Sequence, residues 1–229
     1  MPIKRPTSKK IKNHTSITLL ICSLGLSGSL PLLAQTKPLY ENNFEKAEIG
    51  KLPEGFLALD GAFVVKQEEG NKVLELPGAP LDSFSVQFGP SESSDVAISA
   101  RIKGTAKGRR YPTFGIGLSG VAGYRLQVSP AKKLLELYKD QDVKAAVPFE
   151  WKSGEWKQLR LQVRKAKAGE WKIEGKAWLP GTPEPGTWMI SAGEKEEPTA
   201  GRASVFGSPF SGTPIQFDDL VLTTAESAE

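Results

Sequence analysis

The segment 156–178 constrains the fold most, because apolar and polar side chains alternate along two successive runs. The apolar positions are Leu159, Leu161, Val163, Trp171, Ile173 and Ala177. A period of two places one set of side chains on each face of a β-strand. An Ala-Gly pair at 168–169 supplies a turn between the runs. The segment therefore predicts a β-hairpin from a sheet with one buried face and one face in water.

Short alternating segments of the same kind follow one another along most of the 229-residue chain, with Gly and Pro between them. The clearest lie at 95–103, 113–119, 124–129, 203–207 and 215–223. Helical periodicity is nearly absent, although 131–137 fits a short helix as well as a strand. Roughly a dozen strands, about 8–15 residues apart, are typical of a sandwich or barrel. Since no linker divides the chain, we expect a single all-β domain over residues 35–229, a two-sheet antiparallel β-sandwich.

Residues 1–34 have the pattern of a secretory signal peptide. A basic start precedes an apolar stretch at 17–33 that Ser, Gly and Pro interrupt, and Ala34 ends it with a small residue. A membrane anchor is the alternative, but the interruptions and the lack of a second apolar segment favour cleavage near Ala34. Cys22 follows Ile21, where a lipoprotein would need a small residue. We expect an exported protein, periplasmic or extracellular, with no transmembrane span after cleavage.

The net charge depends on whether this leader is counted. The whole sequence carries a formal charge of +4, from 30 basic and 26 acidic side chains. Five of the basic residues and none of the acidic ones lie in the leader, which leaves 25 basic and 26 acidic residues, or about −1. Because nucleic-acid binding requires a net basic surface, we expect no nucleic-acid partner.

The leader also contains the only histidine, His14, and the only cysteine, Cys22. Residues 35–229 therefore offer no imidazole or thiolate to a zinc ion and no thiol for a disulfide. Catalysis by a Ser-His-Asp or Cys-His system is excluded for the same reason. Carboxylates such as Asp95, Glu136 and Glu174 remain, but no spacing selects a catalytic pair among them.

The chain contains YENNFE, GIGLSG, GYRLQV, LLELYK, GEWKQLRLQV and a closing IQFDDLVL in this order. In strand order and spacing it resembles the concanavalin A-like lectin/glucanase superfamily, in its laminin-G-like jelly-roll branch of exported bacterial proteins. The resemblance covers nearly all of residues 35–229. It implies two curved antiparallel sheets, with sugars bound across the concave sheet or at the loop rim.

Two departures from related enzymes bear on activity. The superfamily's laminarinase-like hydrolases carry E-x-D-x-x-E on one strand, and no stretch of this sequence has that motif. The chain is more loosely similar to keto-glycoside hydrolase-like domains, whose strand often reads GYE-x-Q, but here Arg125 stands in the place of that carboxylate. The resemblance thus favours a non-catalytic carbohydrate-binding domain. A glycoside hydrolase or lyase using carboxylates, and a structural or protein-interaction module of the cell envelope, are the alternatives.

A ligand platform is predicted around Trp178, which the alternation places on the wet face of its strand. An exposed indole favours stacking against a partner such as a sugar ring of a cell-envelope glycan. The predicted ligand-binding residues are Arg101, Tyr124, Arg125, Gln127, Lys176 and Trp178. They share a face only if their strands belong to one sheet, and Gly115, Gly117 and Ser119 would then leave room for the ligand. The alternatives are that the Pro-rich loop 179–186 covers Trp178, or that the face is simply solvated.

A structural calcium ion is predicted from the closing strand. Alternation places Asp219 beside Ile215 and Phe217, where a carboxylate is costly unless it is paired or bound to metal. Oxygen ligands suit calcium. The resemblance implies that calcium often joins such a closing strand to the opening one, where Asn43 and Glu45 occupy the matching positions. A bulge that returns Asp219 to water, or backbone hydrogen bonds to its carboxylate, are the alternatives.

Overall fold

The structure is a computed structural model and describes residues 37–78 and 82–226. The predicted leader, 1–34, lies outside the described residues. Within these ranges every regular element is a β-strand, including Leu134–Lys139, where the sequence also fits a helix. No helix in this part of the chain is long and apolar enough to cross a membrane.

The strands, numbered in chain order, form two antiparallel sheets. The first sheet holds β1 (Tyr40–Asn42), β3 (Val64–Glu68), β4 (Asn71–Leu76), β6 (Val96–Lys103), β11 (Trp156–Lys167), β12 (Glu170–Trp178), β13 (Ile190–Glu194) and β15 (Ile215–Thr224). The second sheet holds β2 (Leu57–Asp60), β5 (Phe84–Glu92), β7 (Thr113–Leu118), β8 (Tyr124–Ser129), β9 (Leu134–Lys139), β10 (Asp142–Pro148) and β14 (Gly201–Ser208). Their spatial orders are β13-β12-β11-β6-β15-β4-β3, with β1 also paired to β15, and β10-β9-β8-β7-β14-β5-β2. The predicted two-sheet antiparallel sandwich is confirmed.

The predicted hairpin is the pair β11 and β12. Leu161 lies opposite Gly175, and Val163 lies opposite Ile173, so the apolar set shares the inner face. The turn falls at the predicted Ala-Gly pair, where Gly169 has a φ of 70° that favours glycine. The alternation therefore predicts both the pairing and the buried face of these two strands correctly.

The inner faces of the two sheets pack against each other to form the core. Its largest fully buried side chains include Phe88, Phe114, Phe217, Ile98, Ile116 and Leu126. The sheets approach closely where Leu126 of β8 faces Gly175 of β12. A Cβ added at Gly175 would lie 2.6 Å from Leu126 Cδ1. Each buried side chain of this size contributes about 1.5–3 kcal/mol through loss of water-exposed apolar surface.

The outer face of the hairpin carries a buried carboxylate, Glu174, which is 2% exposed. Gln162 and Arg164 each donate to its Oε2 at 2.8 Å, and Lys172 Nζ lies 2.6 Å from its Oε1. Burial has the largest effect and raises the pKa of Glu174, but the hydrogen bonds from Lys172, Gln162 and Arg164 lower it overall. The charged form is therefore favoured by folding.

Glu174→Gln should lower the free energy of unfolding by about 2–3 kcal/mol at neutral pH, because it weakens three charge-assisted hydrogen bonds. A carboxyl whose folded pKa is depressed contributes stability above its ordinary pKa of 4.5 and loses it as the pH falls through the folded value. Urea denaturation should therefore show the gap between wild type and variant shrinking in acid.

The matched control is Glu170→Gln, because Glu170 pairs with Lys167 at 3.2 Å on the exposed end of the same hairpin. An exposed pair of this kind should change stability by less than about 1 kcal/mol. If the difference in free energy of unfolding between wild type and Glu174→Gln stays constant from neutral pH into acid, the stabilising role of the Glu174 charge is contradicted.

Candidate functional site

A groove of about 430 Å³ crosses the outer face of the second sheet. It spans the strands from β9 to β5, four inter-strand spacings, or about 19 Å. Its lining includes rings, amides and hydroxyls, among them Tyr138, Phe206, Phe210, Gln87, Gln127 and Ser204. A volume of this size is typical of small-ligand sites.

Strand register brings two rows of side chains into this groove. One row runs through Gln127, Gly115, Phe206 and Ser85, and the next through Tyr138, Arg125, Gly117, Ser204 and Gln87. Directly opposed residues of antiparallel strands lie on the same face. Each row therefore carries polar groups on both sides of a glycine.

The two glycines form the floor of the groove. A Cβ at Gly115 would lie 2.6 Å from Phe206 Cζ and closer still to the Leu126 carbonyl oxygen. A Cβ at Gly117 would lie 2.6 Å from Ser204 Oγ. Only glycine therefore lets the Phe206 ring and the Ser204 hydroxyl lie across the centre of the sheet. The sequence predicts that Gly115, Gly117 and Ser119 leave room for a ligand. The two glycines form the floor of this groove, whereas Ser119 is buried and is not among its described lining residues.

Arg125 lies between two aromatic rings in the groove. Its guanidinium carbon is 5.2 Å from the Tyr138 ring centre and 5.5 Å from the Phe206 ring centre. Its Nη2 donates to the Asp140 carbonyl at 2.6 Å. The stacking and this hydrogen bond hold the plane of the guanidinium.

Gln127 is oriented by a chain of polar groups beside the groove, on the same outer face of the second sheet. Lys132 Nζ lies 2.9 Å from Glu136 Oε1, and Ser129 Oγ donates to Glu136 Oε2 at 2.5 Å. Burial, the largest effect, raises the pKa of Glu136, but the hydrogen bonds from Ser129 and Lys132 lower it overall, so the carboxylate only accepts.

The single Ser129 proton is therefore committed to Glu136, and Ser129 Oγ must accept from Gln127 Nε2 at 2.9 Å. This fixes the amide of Gln127 with its carbonyl oxygen turned away from Ser129. The groove thus holds one oriented acceptor, the carbonyl oxygen of Gln127, two residues along β8 from Arg125.

Tyr124, another predicted ligand contact, points into the core. It is 2% exposed, and burial, with a smaller effect from the Glu194 charge, raises its pKa to about 12. Alternation along β8 accounts for this, because Tyr124 shares the inner face with Leu126. Its side chain is therefore placed away from the groove.

Arg101, Lys176 and Trp178 lie on the opposite side of the sandwich, because β6 and β12 belong to the first sheet. The predicted residues share a face with Arg125 and Gln127 only if all their strands belong to one sheet, and that condition is not met. Alternation assigns a face of a strand, but not the sheet to which the strand belongs.

The loop after β12 covers part of this outer face, at Lys176. Lys176 Nζ donates to the Pro185 carbonyl at 2.9 Å and pairs with Glu184 at 2.8 Å. The same ammonium lies 4.3 Å from the centre of the Trp188 ring. Lys176 is only 3% exposed, and Trp178 is half-buried. The part of the predicted platform at Lys176 is thus occupied by the protein itself.

The closing strand β15 contains a bulge between Asp218 and Val221, which oppose Arg101 and Ser99. One extra residue reverses the alternation, so Phe217 faces inward before the bulge and Leu220 faces inward after it. The expectation that Asp219 lies on the dry face is wrong, because Asp219 is the exposed residue at the bulge, with a φ of 48°.

The three predicted calcium ligands are only partly brought together. Asn43 and Asp219 line one cavity of about 520 Å³, together with Lys46. Asp219 Oδ2 pairs with Arg101 Nε at 2.9 Å, and Glu45 Oε1 accepts from the Lys72 backbone at 2.9 Å.

Calcium takes six to eight oxygen ligands. The described ranges contain no group of three or more His, Cys, Asp or Glu side chains placed to hold a metal. Asn43, Glu45 and Asp219 are thus not gathered into a calcium site as arranged, since Asp219 and Glu45 have other partners. Calcium at this edge stays a prediction from the sequence.

Several groove residues are absent from the sequence prediction, chiefly Tyr138, Phe206 and Ser204. Alternation contains a signal for the two aromatic residues. Tyr138 follows the inward-facing Leu137, and Phe206 follows the inward-facing Val205. An aromatic residue placed outward on a strand was therefore visible in both segments.

Solved carbohydrate-binding domains share this fold. The carbohydrate recognition domain of Emp46p, in its metal-free form, has a TM-score of 0.58 at 12% identity and covers 84% of this chain and 100% of that chain. The carbohydrate binding module CBM66 from Bacillus subtilis has a TM-score of 0.54 at 13% identity, covering 74% and 96%. The exoplasmic/lumenal domain of VIP36 bound to Ca2+ and Man3GlcNAc has a TM-score of 0.55 at 9% identity, covering 85% and 92%.

At these identities the likeness concerns the fold alone. No protein-family model and no curated protein matches the sequence. The resemblance to concanavalin A-like jelly rolls is supported at the level of architecture, and assignment to the laminin-G-like branch stays a prediction.

Gly115→Ala should lower the free energy of unfolding by about 1–3 kcal/mol, because the new methyl group meets the Leu126 backbone and the Phe206 ring. Gly193→Ala is the matched control, since β13 leaves nothing within 4 Å of a Cβ there. We expect the control to be neutral or slightly stabilising through its effect on the unfolded chain. Equal unfolding free energies for the two variants, measured in urea, would contradict the proposed role of the glycine floor.

Proposed function

We propose that this chain is an exported, non-catalytic carbohydrate-binding domain that holds a glycan in the groove of the second sheet. The observation that carries the proposal is an open groove with aromatic rings and polar side chains arranged in rows across five strands. Export rests on the sequence of residues 1–34.

The chemistry of the lining suits a sugar chain. A pyranose ring has apolar C–H faces and a rim of hydroxyls, so it needs rings to stack on and amides or hydroxyls at its edge. Tyr138 and Phe210 are half-buried rings at the groove, and Gln87, Gln127 and Ser204 supply the polar groups. A groove about 19 Å long suits an extended oligosaccharide better than a single sugar.

The solved domains with this architecture support the same proposal, because two of the three are described as carbohydrate-recognising or carbohydrate-binding and the third carries a bound glycan. The first sheet is the less suitable face, since Lys176 is covered by the loop after β12.

The lack of accessible carboxyl groups in the described groove lining favours binding over hydrolysis. Hydrolysis of a glycosidic bond uses two carboxyl groups that flank the bond. Among the described lining residues there is no Asp or Glu. The neighbouring Glu136 is 3% exposed and already accepts from Ser129 and Lys132.

Glycan-array binding should show which of the two outer faces binds the glycan. Wild type should bind at least one oligosaccharide, and Tyr138→Ala should weaken that binding about tenfold or more by removing a stacking ring. Trp178→Ala on the opposite sheet is the matched control and should bind as wild type does. Both variants should keep the wild-type melting temperature within a few degrees.

Loss of binding in Trp178→Ala alone would move the site to the first sheet and refute the proposed groove. Background signal from wild type across the array would refute carbohydrate binding altogether, and would favour a protein-interaction module of the cell envelope.

A further inference from the structure

Arg125 is the one charged side chain among the described residues that line the groove. No ion pair to its guanidinium is found within residues 37–78 and 82–226. The arginines on the outer face of the first sheet behave differently. Arg101 pairs with Asp219 at 2.9 Å, and Arg164 pairs with Glu174 at 2.8 Å. The described lining therefore carries one cation, Arg125, that has no ion-pair partner in these ranges.

The surroundings of Arg125 remove part of this charged side chain from water. The side chain is half-buried between the Tyr138 and Phe206 rings, and its Nε is buried without a hydrogen-bond partner. A partly desolvated cation is costly unless an anion or several acceptors compensate it. The Asp140 carbonyl supplies one acceptor, at 2.6 Å.

The geometry of the Arg125 guanidinium also restricts the orientation in which an anion could bind to it. A guanidinium presents parallel N–H donors that match the two oxygens of a carboxylate or of a sulfate group. Because the two rings hold the guanidinium plane, little side-chain freedom would be lost on binding. Gln127 lies two residues away on the same face, about 7 Å along the strand, and its oriented carbonyl can accept from a sugar hydroxyl.

We propose that the groove selects an anionic glycan, in which a sugar carboxylate or sulfate ester pairs with Arg125 while a neighbouring hydroxyl donates to Gln127. This inference rests on the proposed carbohydrate-binding function and adds the ligand class to it. A uronic acid supplies the carboxylate, and a sulfated sugar supplies the alternative anion. Binding of this kind weakens as ionic strength rises, because salt screens the pair.

Titration calorimetry with four probes tests the proposal: tetragalacturonate, its methyl ester, a sulfated galactan oligosaccharide and neutral galactotetraose. Wild type should bind at least one anionic probe about tenfold or more tightly than its neutral counterpart. The difference in affinity between tetragalacturonate and its methyl ester measures the contribution of the carboxylate. The difference between the sulfated galactan oligosaccharide and neutral galactotetraose measures the contribution of the sulfate.

Arg125→Gln should weaken the preferred anionic probe about 10- to 100-fold, a larger loss than it causes for the neutral counterpart of that probe. Arg125→Lys keeps the charge but loses the two parallel donors, so it should restore only part of the affinity. Arg109→Gln is the control for net charge, because Arg109 is an exposed loop residue outside the groove lining. It should bind as wild type does.

Equal affinity for charged and neutral probes, or equal losses in Arg125→Gln and Arg109→Gln, would overturn the anionic preference. In that case binding of the neutral probes, or of neutral array glycans that depend on Tyr138, would leave the proposed function standing. Failure of wild type to bind any charged or neutral glycan would overturn both. Melting curves of each variant separate a lost contact from a lost fold.

Discussion

Leu126 of the second sheet packs into the space that Gly175 leaves on the first sheet, and this contact determines which residues face out on both sides. Because neighbours along a strand point to opposite faces, an inward Leu126 turns Arg125 and Gln127 outward into the groove. In the same way an inward Gly175 turns Glu174 and Lys176 outward on the other sheet. The packing of the core therefore decides which side chains the two outer surfaces present.

The two outer faces use their polar residues differently. On the first sheet, carboxylates lie within reach of the basic side chains, as Glu174 does for Arg164 and Glu184 does for Lys176. On the second sheet, glycine takes the central positions, and the single lining cation, Arg125, is stacked between rings rather than paired with an acid. The first surface is closed by its own contacts, while the second keeps an open groove. This contrast leads to the proposal that the second sheet binds the ligand.

The sequence predicts the architecture well and the site only in part, for one physical reason. Alternation reports which side of a strand is buried, and it correctly turns Arg125 and Gln127 outward while it places the hairpin 156–178 with its apolar face inward. It does not report strand neighbours, which depend on contacts far apart in the chain. The sequence therefore groups Trp178 with residues that belong to the other sheet. Alternation also fails at a bulge, which is why Asp219 lies outside the core and the calcium prediction loses a buried carboxylate.

Amide chemical-shift mapping by NMR tests the central claim most directly, since it identifies the ligand-bearing face without any mutation. The labelled protein would be titrated with the glycan that gives the strongest array signal. The account predicts that the largest shifts fall on β5, β7, β8 and β14, around Arg125 and Ser204. Shifts concentrated on β6, β11 and β12 instead would contradict it.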